Sequence, residues 1–533
     1  VLLYKQVKYS NNQANGRSKS KKIIGLLASV LVVLGIGIVG YNVLSRDLTV
    51  EEVIANELIF NETVTEDEKT LIKSVASEQL VELTSSINVI VDTKKTITES
   101  SNTTAIYVPV TTFNSVKQST SASEIIVMTD LSISATTDPI VVRALAEALG
   151  IDATSLSLVD DISTTLLDEQ VAFIPLSELN QSLKLLAFDG SYYLDDFTSG
   201  ALFRSVELSS PIVGFKLPAM STDDVYKVNM TGVTALTRVM QRKLTEIGGD
   251  PLYFSAKIGD FLADADLTHV SNEVSFKENC PYSNTLFCSP PEFIETLKAS
   301  GVDLVELTGN HNNDLGSELN TQTIELYRSL GWNTIGGGLN TGDAALPFIS
   351  SEKESQIAFL AYNFPDSPNG RAIAGANSAG ANSFDFERIE VEIAAAKQKS
   401  DFVIVNVQYW ECYSYPDGYI EFPSCDKPIG EQEPNFKKLV DLGADMVIGS
   451  SAHQPQTYEL YNDAAIYYGL GNLYFDQTSW PGTERGIVLT HYFMDGALLQ
   501  TKLTPTVFDR DLQTRVSTAE EAEFLLARLQ AAR

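Results

Sequence analysis

From about residue 223 to residue 510 short apolar runs alternate with amphipathic stretches, and this alternation restricts the fold more than any other feature of the chain. The runs VYKVNMTGVTAL, DADLTHVSNEV, VDLVELTGNHNND, SQIAFLAYNF, DFVIVNVQYWE and ADMVIGSSAHQPQ read as strands. Between them PEFIETLKASG, NTQTIELYRSLG, FERIEVEIAAAKQK and FKKLVDLG read as helices. Repeated strand–helix units predict a layered α/β sheet. In such sheets ligands bind beyond the carboxyl ends of the strands.

Four strand ends carry polar clusters: Ser271-Asn272-Glu273, Thr308-Gly309-Asn310-His311, Gln408-Tyr409-Trp410-Glu411 and Ser450-Ser451-Ala452-His453. The chain has four histidines, and two of them, His311 and His453, directly follow apolar strands. His269 and His491 read as strand residues without a role. Amide, imidazole and carboxylate groups on neighbouring strand ends can hold a divalent ion or polarise a phosphoryl or acyl oxygen. A carboxylate beside an imidazole can also act as acid and base. Taken singly, each cluster reads as turn and helix caps. In register they predict one pocket of Glu273, Asn310, His311, Gln408 and His453. Asp260 falls in an apparent helix and reads as surface, and NSAGANS (377–383) reads as a flexible loop near the site. Tyr409 and Trp410 fit either a polymer groove or packing against a neighbouring loop.

Before this region the chain changes character. Residues 1–22 form a basic tail, and residues 23–44 contain no charged side chain. About 20 apolar residues span a bilayer core, so 23–45 is expected to be a transmembrane helix. Lys5, Lys8, Arg17, Lys19, Lys21 and Lys22 precede it with no acid among them, which places the C-terminal part outside a bacterial cell membrane. A cleaved signal peptide is the rival reading; its apolar stretch is usually shorter, and no small-x-small site follows Leu44. With Lys+Arg 38 and Asp+Glu 69 the net charge is −31, which repels a phosphate backbone and excludes general nucleic-acid binding. Cys280 and Cys288, and Cys412 and Cys425, are close enough in sequence to close two small loops in an oxidising compartment. A zinc site built from all four lacks the usual ligand spacing.

Residues 46–104 read as an acidic stalk and linker with a helical stretch, and 105–222 as a smaller α/β domain. There AIYVPV and EIIVMTD read as strands, DPIVVRALAEALG as a helix capped by Asp138 and Gly150, and DEQVAFIPLSEL as strand then helix. The element order loosely resembles one lobe of a solute-binding protein. Residues 511–533 close the chain with a helix.

Two longer blocks carry a family resemblance: VDLVELTGNHNNDLGSELNTQTIELYRSLGWNTIGGG and LVDLGADMVIGSSAHQPQTYELYNDAAIYYGLGNLYFDQ. They resemble the bacterial capsule-synthesis CapA family, which includes membrane-anchored components of poly-γ-glutamate synthesis. The resemblance implies a calcineurin-like metallophosphoesterase sandwich (α/β/β/α) over 223–510. It implies a role in capsule or poly-γ-glutamate synthesis or export, with that polymer and other membrane subunits as partners. It also implies a divalent ion (manganese, zinc or magnesium) on Glu273, Asn310, His311 and His453. Glu273, His311 and His453 would carry catalysis, and Asn272, Gln408, Trp410 and Ser451 would line the substrate. Three positions depart from the family pattern: Val233 stands where the first strand usually ends in Asp, Gln408 where a His is usual, and Ser451 at the first His of Gly-His-x-His. Three expectations follow: a hydrolase-like envelope enzyme, a non-catalytic polymer-handling or assembly subunit with a degenerate metal site, or a solute sensor using 105–222.

Overall fold

The strands Tyr226–Ala235 and Phe402–Gln408 are buried along nearly their whole length, as strands covered on both faces must be. Each is central to one of two sheets. The computed structural model describes residues 64–83, 101–128, 131–134, 137–207, 221–364, 370–409, 432–477 and 482–532. The expected membrane span, Trp410 and the Cys412–Cys425 pair lie outside the described residues. Among the described residues no helix is long and apolar enough to cross a bilayer.

The first sheet runs in the order Asn333–Ile335, Val302–Glu306, Leu267–Asn272, Tyr226–Ala235, Arg485–Met494, Ala497–Phe508, Thr514–Val516, with Asn472–Phe475 also on Tyr226–Ala235. Its first four strands are parallel and the next three antiparallel. The second runs Phe348–Glu352, Ser355–Asn363, Phe402–Gln408, Met446–Ser450, Ala464–Tyr467, Tyr458–Tyr461, parallel through its middle.

The inner faces meet in one cluster, with Val228, Met230, Leu267 and Leu304 against Ile357, Phe359, Ile404 and Ile448. Burying one such side chain contributes about 1.5–3 kcal/mol. On the outer face of the first sheet pack Met240, Leu297, Ile324 and Tyr327 from three helices. Ile389, Ile393, Phe436 and Leu439 cover the second from two more. The result is a mixed α/β core of four layers, helix, sheet, sheet, helix; the alternation predicts the layered α/β sheet, and the pairing of two sheets is what the family resemblance implies.

The smaller domain has its own six-stranded sheet, centred on Ser101–Thr112. The helix Pro139–Leu149 forms where expected, with the Asp138 carboxylate accepting from Ile140 N and Gly150 left-handed at φ 70°. Two expectations there are corrected. Residues 124–128 of EIIVMTD are not a strand: Ser121 accepts from Glu124 N and starts the short helix Ala122–Ile125, and a strand runs from Leu131 to Ser134. LSEL makes only a three-residue turn, Leu176–Glu178, because the next strand begins at Leu183. The domain is not a separate lobe. Val108, Leu183, Leu185 and Tyr193 share a core with Tyr492, Met494 and Leu499 of the larger domain. Gln500 Nε2 donates to Leu183 O at 2.9 Å across the seam. The acidic stretch before it contributes the helix Glu66–Leu83, whose Ile72 and Val75 are buried.

NSAGANS is also corrected. Gly380–Ala381 pairs with Gly337–Gly338, and Asn313 Nδ2 donates to Ala379 O at 3.0 Å, so the segment is a buttressed arch. Cys280 and Cys288 form the expected disulfide, with Cα atoms 5.8 Å apart.

Between the two sheets the apolar contact gives way to a buried polar row. His269 Nε2 lies 3.1 Å from Glu306 Oε2, Asn406 Nδ2 donates to the same oxygen at 2.8 Å, and Thr308 donates to Oε1. Burial pushes the Glu306 carboxyl up, but His269 and the donated hydrogen bonds outweigh it and hold it below its ordinary value. His269, read above as roleless, therefore bridges the sheets. His491 is buried nearby on Thr501, with Nδ1 2.8 Å from Oγ1, and burial together with the repulsion of His269 lowers its pKa to about 3.

That depression has a sign. Between pH 3 and the ordinary histidine value of 6.5 the unfolded chain holds a proton on His491 that the folded chain refuses, so stability falls on acidification across this window. The slope from one full proton is about 1.4 kcal/mol per pH unit. His491→Gln is expected to flatten the fall in urea midpoint between pH 6.5 and 4 relative to wild type. Parallel curves for the two proteins would show that His491 does not carry the dependence.

Candidate functional site

Two strand-end loops can meet here because one residue has no side chain. A Cβ on Gly309 would sit 2.5 Å from Glu273 Cα, so only glycine lets the loop after Val302–Glu306 lie against the loop after Leu267–Asn272. Asn312 Nδ2 ties the same loops by donating to Asn272 O at 3.2 Å. Asn310 is thereby brought beside Glu273. From the second sheet, Gln408 follows Ile404 and Asn406 on the inward face and ends its strand at the same level. Ser451 and His453 hold φ values of 81° and 55°, a left-handed turn that non-glycine residues adopt at a cost of order 1 kcal/mol each.

The Gln408 amide is the meeting point. Its Nε2 lies 3.1 Å from Asn310 Oδ1, 3.3 Å from Glu273 Oε1 and 3.3 Å from Ser451 Oγ, and its Oε1 lies 3.5 Å from Thr308 Oγ1, whose proton goes to Glu306. All five residues are buried. The Glu273 carboxylate can only accept, which turns the N–H end of the amide toward it. Of the expected site, Glu273, Asn310, Gln408 and Ser451 are therefore brought together. Asn272 is not: its amide turns to Val274 O and Tyr327 Oη, both at 2.7 Å, beneath the helix Ser317–Ser329. A strand alternates its side chains, so Asn272 and Glu273 cannot both face the cleft from an extended backbone. Tyr409 is buried against Phe364 and Phe436 and donates no face to a groove. Asp260 lies in the helix Gly259–Ala263 and is exposed, as read.

His311 and His453 flank this centre. His311 Nδ1 lies 2.7 Å from Asp314 Oδ2, and its ring packs on Phe287 at 4.5 Å. His453 Nδ1 lies 3.0 Å from Asn472 Oδ1, and its ring packs on Phe475 at 5.0 Å. Between the two phenyl rings lies the Arg238 guanidinium, its carbon 5.0 Å from the Phe287 centroid and 4.7 Å from that of Phe475. Asp476 grips it: Arg238 Nε donates to Oδ1 at 2.8 Å, and Val239 N donates to Oδ2 at 2.6 Å. Burial keeps the Asp476 carboxyl above its ordinary value despite Arg238. Arg238, Phe287, Phe475 and Asp476 were not anticipated. Asp476 ends the quoted GNLYFD block, so an acid at a strand end was visible there, whereas Arg238 had no strand-end pattern to mark it.

These residues do not fit a divalent metal centre. A cation needs oxygen or nitrogen lone pairs converging on one point. Here the Gln408 amide presents hydrogens to the oxygens of Glu273 and Asn310. Val233, at the position of the expected acid, packs in an apolar cluster with Ala235, Val274, Phe287 and Phe475. Among the described residues no three His, Cys, Asp or Glu side chains converge to hold an ion. The metal set of Glu273, Asn310, His311 and His453 is thus divided between the amide centre and the two sides of the Arg238 stack.

Residues 227–477 match the family profile described as "Bacterial capsule synthesis protein PGA_cap". The chain is 24% identical over 288 residues to the capsule biosynthesis protein CapA of Bacillus anthracis, covering 52% of this chain and 66% of that one. It is 22% identical over 286 residues to the PGA biosynthesis protein CapA of Bacillus subtilis, covering 53% and 72%. The chain thus spans just under two thirds of the length of the first of these relatives. Among solved structures, the calcineurin-like phosphoesterase YfkN from Bacillus subtilis aligns with 58% of this chain and 98% of its own at 10% identity, with a TM-score of 0.30, too slight a likeness to bear on function. Residues 227–477, just under half of the chain, thus form a domain of the kind described by the bacterial capsule-synthesis model, and the CapA relatives share it.

Proposed function

We propose that this chain is a membrane-anchored, outward-facing envelope protein of capsule or poly-γ-glutamate synthesis or export, and that its strand-end cleft handles the acidic polymer without a resident divalent ion. The observation that carries this reading is the Gln408 amide, bonded to Glu273 and Asn310 where a metal-binding relative would need open ligands. The anchor rests on the uncharged stretch 23–44 and its basic flank. The four-layer core agrees with descent from a metallophosphoesterase-like ancestor, and the apolar packing of Val233 agrees with loss of its ions. The geometry favours the polymer-handling expectation over the hydrolase one.

The chemistry of the cleft matches a γ-linked polymer. Each repeat offers one amide N–H, one amide carbonyl and one carboxylate. Asn310 and Gln408 are amides themselves and can exchange their mutual hydrogen bond for bonds to the chain. Glu273 can accept an N–H but repels a carboxylate, which favours the polymer's amide over its acid at that point. The net charge of −31 repels a polyanion from the rest of the surface, so binding is confined to where local donors outweigh it.

Two measurements test this. Isothermal titration of the full chain with a short γ-linked glutamate oligomer is expected to give saturable binding, weakened about tenfold by Gln408→Ala, the effect of about 1.4 kcal/mol from lost hydrogen bonds. Unchanged binding in that variant would remove Gln408 from the polymer path. Elemental analysis is expected to find no stoichiometric manganese, zinc or magnesium on wild type after dialysis. The triple variant Val233→Asp, Gln408→His, Ser451→His is expected to gain divalent-ion affinity, since it restores an acid and two imidazoles to the cleft. A full equivalent of ion on wild type, lost in Glu273→Gln, would sink the metal-free reading.

A further inference from the structure

We infer that Arg238 recognises a carboxylate of the polymer, making the Phe287–Arg238–Phe475 stack the anion-reading wall of the cleft. This inference rests on the polymer-handling reading above and names the group that reads the acid.

A guanidinium has two edges that can each grip a carboxylate with paired N–H donors. Asp476 occupies one of them, taking both Nε and Nη2 on the same oxygen. The end-on edge of Nη1 and the second Nη2 hydrogen has no protein acceptor among the described residues. The side chain is 17% exposed, whereas the Asp476 side chain is 1% exposed, so the pair meets solvent through the arginine. Phe287 and Phe475 both lie within cation–ring reach of the guanidinium, and attraction of this kind contributes roughly 0.5–2 kcal/mol. The backbone of Arg238 itself is left-handed, at φ 47°, an uncommon conformation for a long side chain. A rigid, oriented, half-committed cation is suited to a planar anion, and it stands out in a chain of net charge −31.

The surroundings set the stack beside the cleft. Phe287 touches His311 and Phe475 touches His453, so the stack lies between the two imidazoles that flank the Gln408 centre. Amide recognition at Gln408 and acid recognition at Arg238 would then read two parts of one γ-linked repeat. A purely structural role is the competing explanation: Arg238 would exist only to neutralise buried Asp476, which also caps the helix Arg238–Glu246 through Val239 N.

Arg238→Lys separates the two. It keeps a positive charge beside Asp476 but loses the end-on fork. In titrations of the full chain with the γ-linked oligomer, Arg238→Lys is expected to bind at least tenfold more weakly than wild type, with an unchanged melting temperature and a shallower salt dependence. The exposed Arg242→Gln, whose guanidinium lies over Tyr282, is expected to bind as wild type. If the lysine variant fails to fold, the neutral pair Arg238→Met/Asp476→Asn removes both charges and is expected to show the same weakening. Wild-type affinity in either folded variant overturns the role of Arg238 and leaves the polymer reading standing. Absence of oligomer binding by wild type overturns both. Arg238-dependent binding of inorganic phosphate with no binding of the oligomer overturns the carboxylate assignment.

Discussion

The face-to-face contact of two sheets is the constraint on which the cleft depends. Met230, Leu267 and Leu304 from one sheet and Phe359, Ile404 and Ile448 from the other exclude water between them. Once those rows interdigitate, the carboxyl ends of Val302–Glu306 and Phe402–Gln408 lie at one level. Groups distant in sequence, Glu273 and Gln408, then come within hydrogen-bond reach. The His269–Glu306–Asn406 row adds polar bonds across the same interface just beneath the cleft. A buried carboxylate left without partners would cost several kcal/mol, so this row also fixes how the sheets register. Packing energy and site geometry are here two consequences of one contact.

The same contact brings together polar groups that hydrogen bonds then join. The ions of a dinuclear centre would neutralise several converging acids. In this chain one carboxylate, Glu273, reaches the centre, and the Gln408 amide meets it with an N–H. Val233 adds apolar packing nearby, with Phe287 and Phe475. Neutral donors in a water-poor site form stronger hydrogen bonds than they would in water. Hydrogen bonding therefore orders the cleft.

The layered α/β fold was legible because its signal is periodic and repeated. Runs such as DFVIVNV are continuously apolar only when both faces are covered. The convergence of Glu273, Asn310, Gln408 and Ser451 was legible for a related reason, that strand ends in such sheets share one edge. What failed was finer than the period of the pattern. Asn272 and Glu273 are adjacent, and only the pleat decides which of them faces inward. EIIVMTD has the composition of a strand, yet a hydroxyl cap at Ser121 starts a helix there. His269 looked like an ordinary strand residue because its partner, Glu306, lies 37 positions away. Arg238 was invisible for the same reason: its carboxylate is 238 positions distant, and its stacking rings come from the disulfide-closed loop and from the end of the strand Asn472–Phe475.

One of those rings is placed by a covalent bond. Phe287 precedes Cys288, whose bond to Cys280 closes the loop that carries it. Phe287 N also donates to Asp314 Oδ2 at 2.8 Å, the same oxygen that orients His311. Disulfide, phenyl ring, Asp314, His311 and Arg238 thus form one connected unit. Reducing the bond would release the loop and, with it, one wall of the guanidinium stack. Under the proposed function the guanidinium stack would keep this wall only in an oxidising surrounding, the condition that outward orientation of this domain would supply. Compartment and recognition would then be coupled through Phe287.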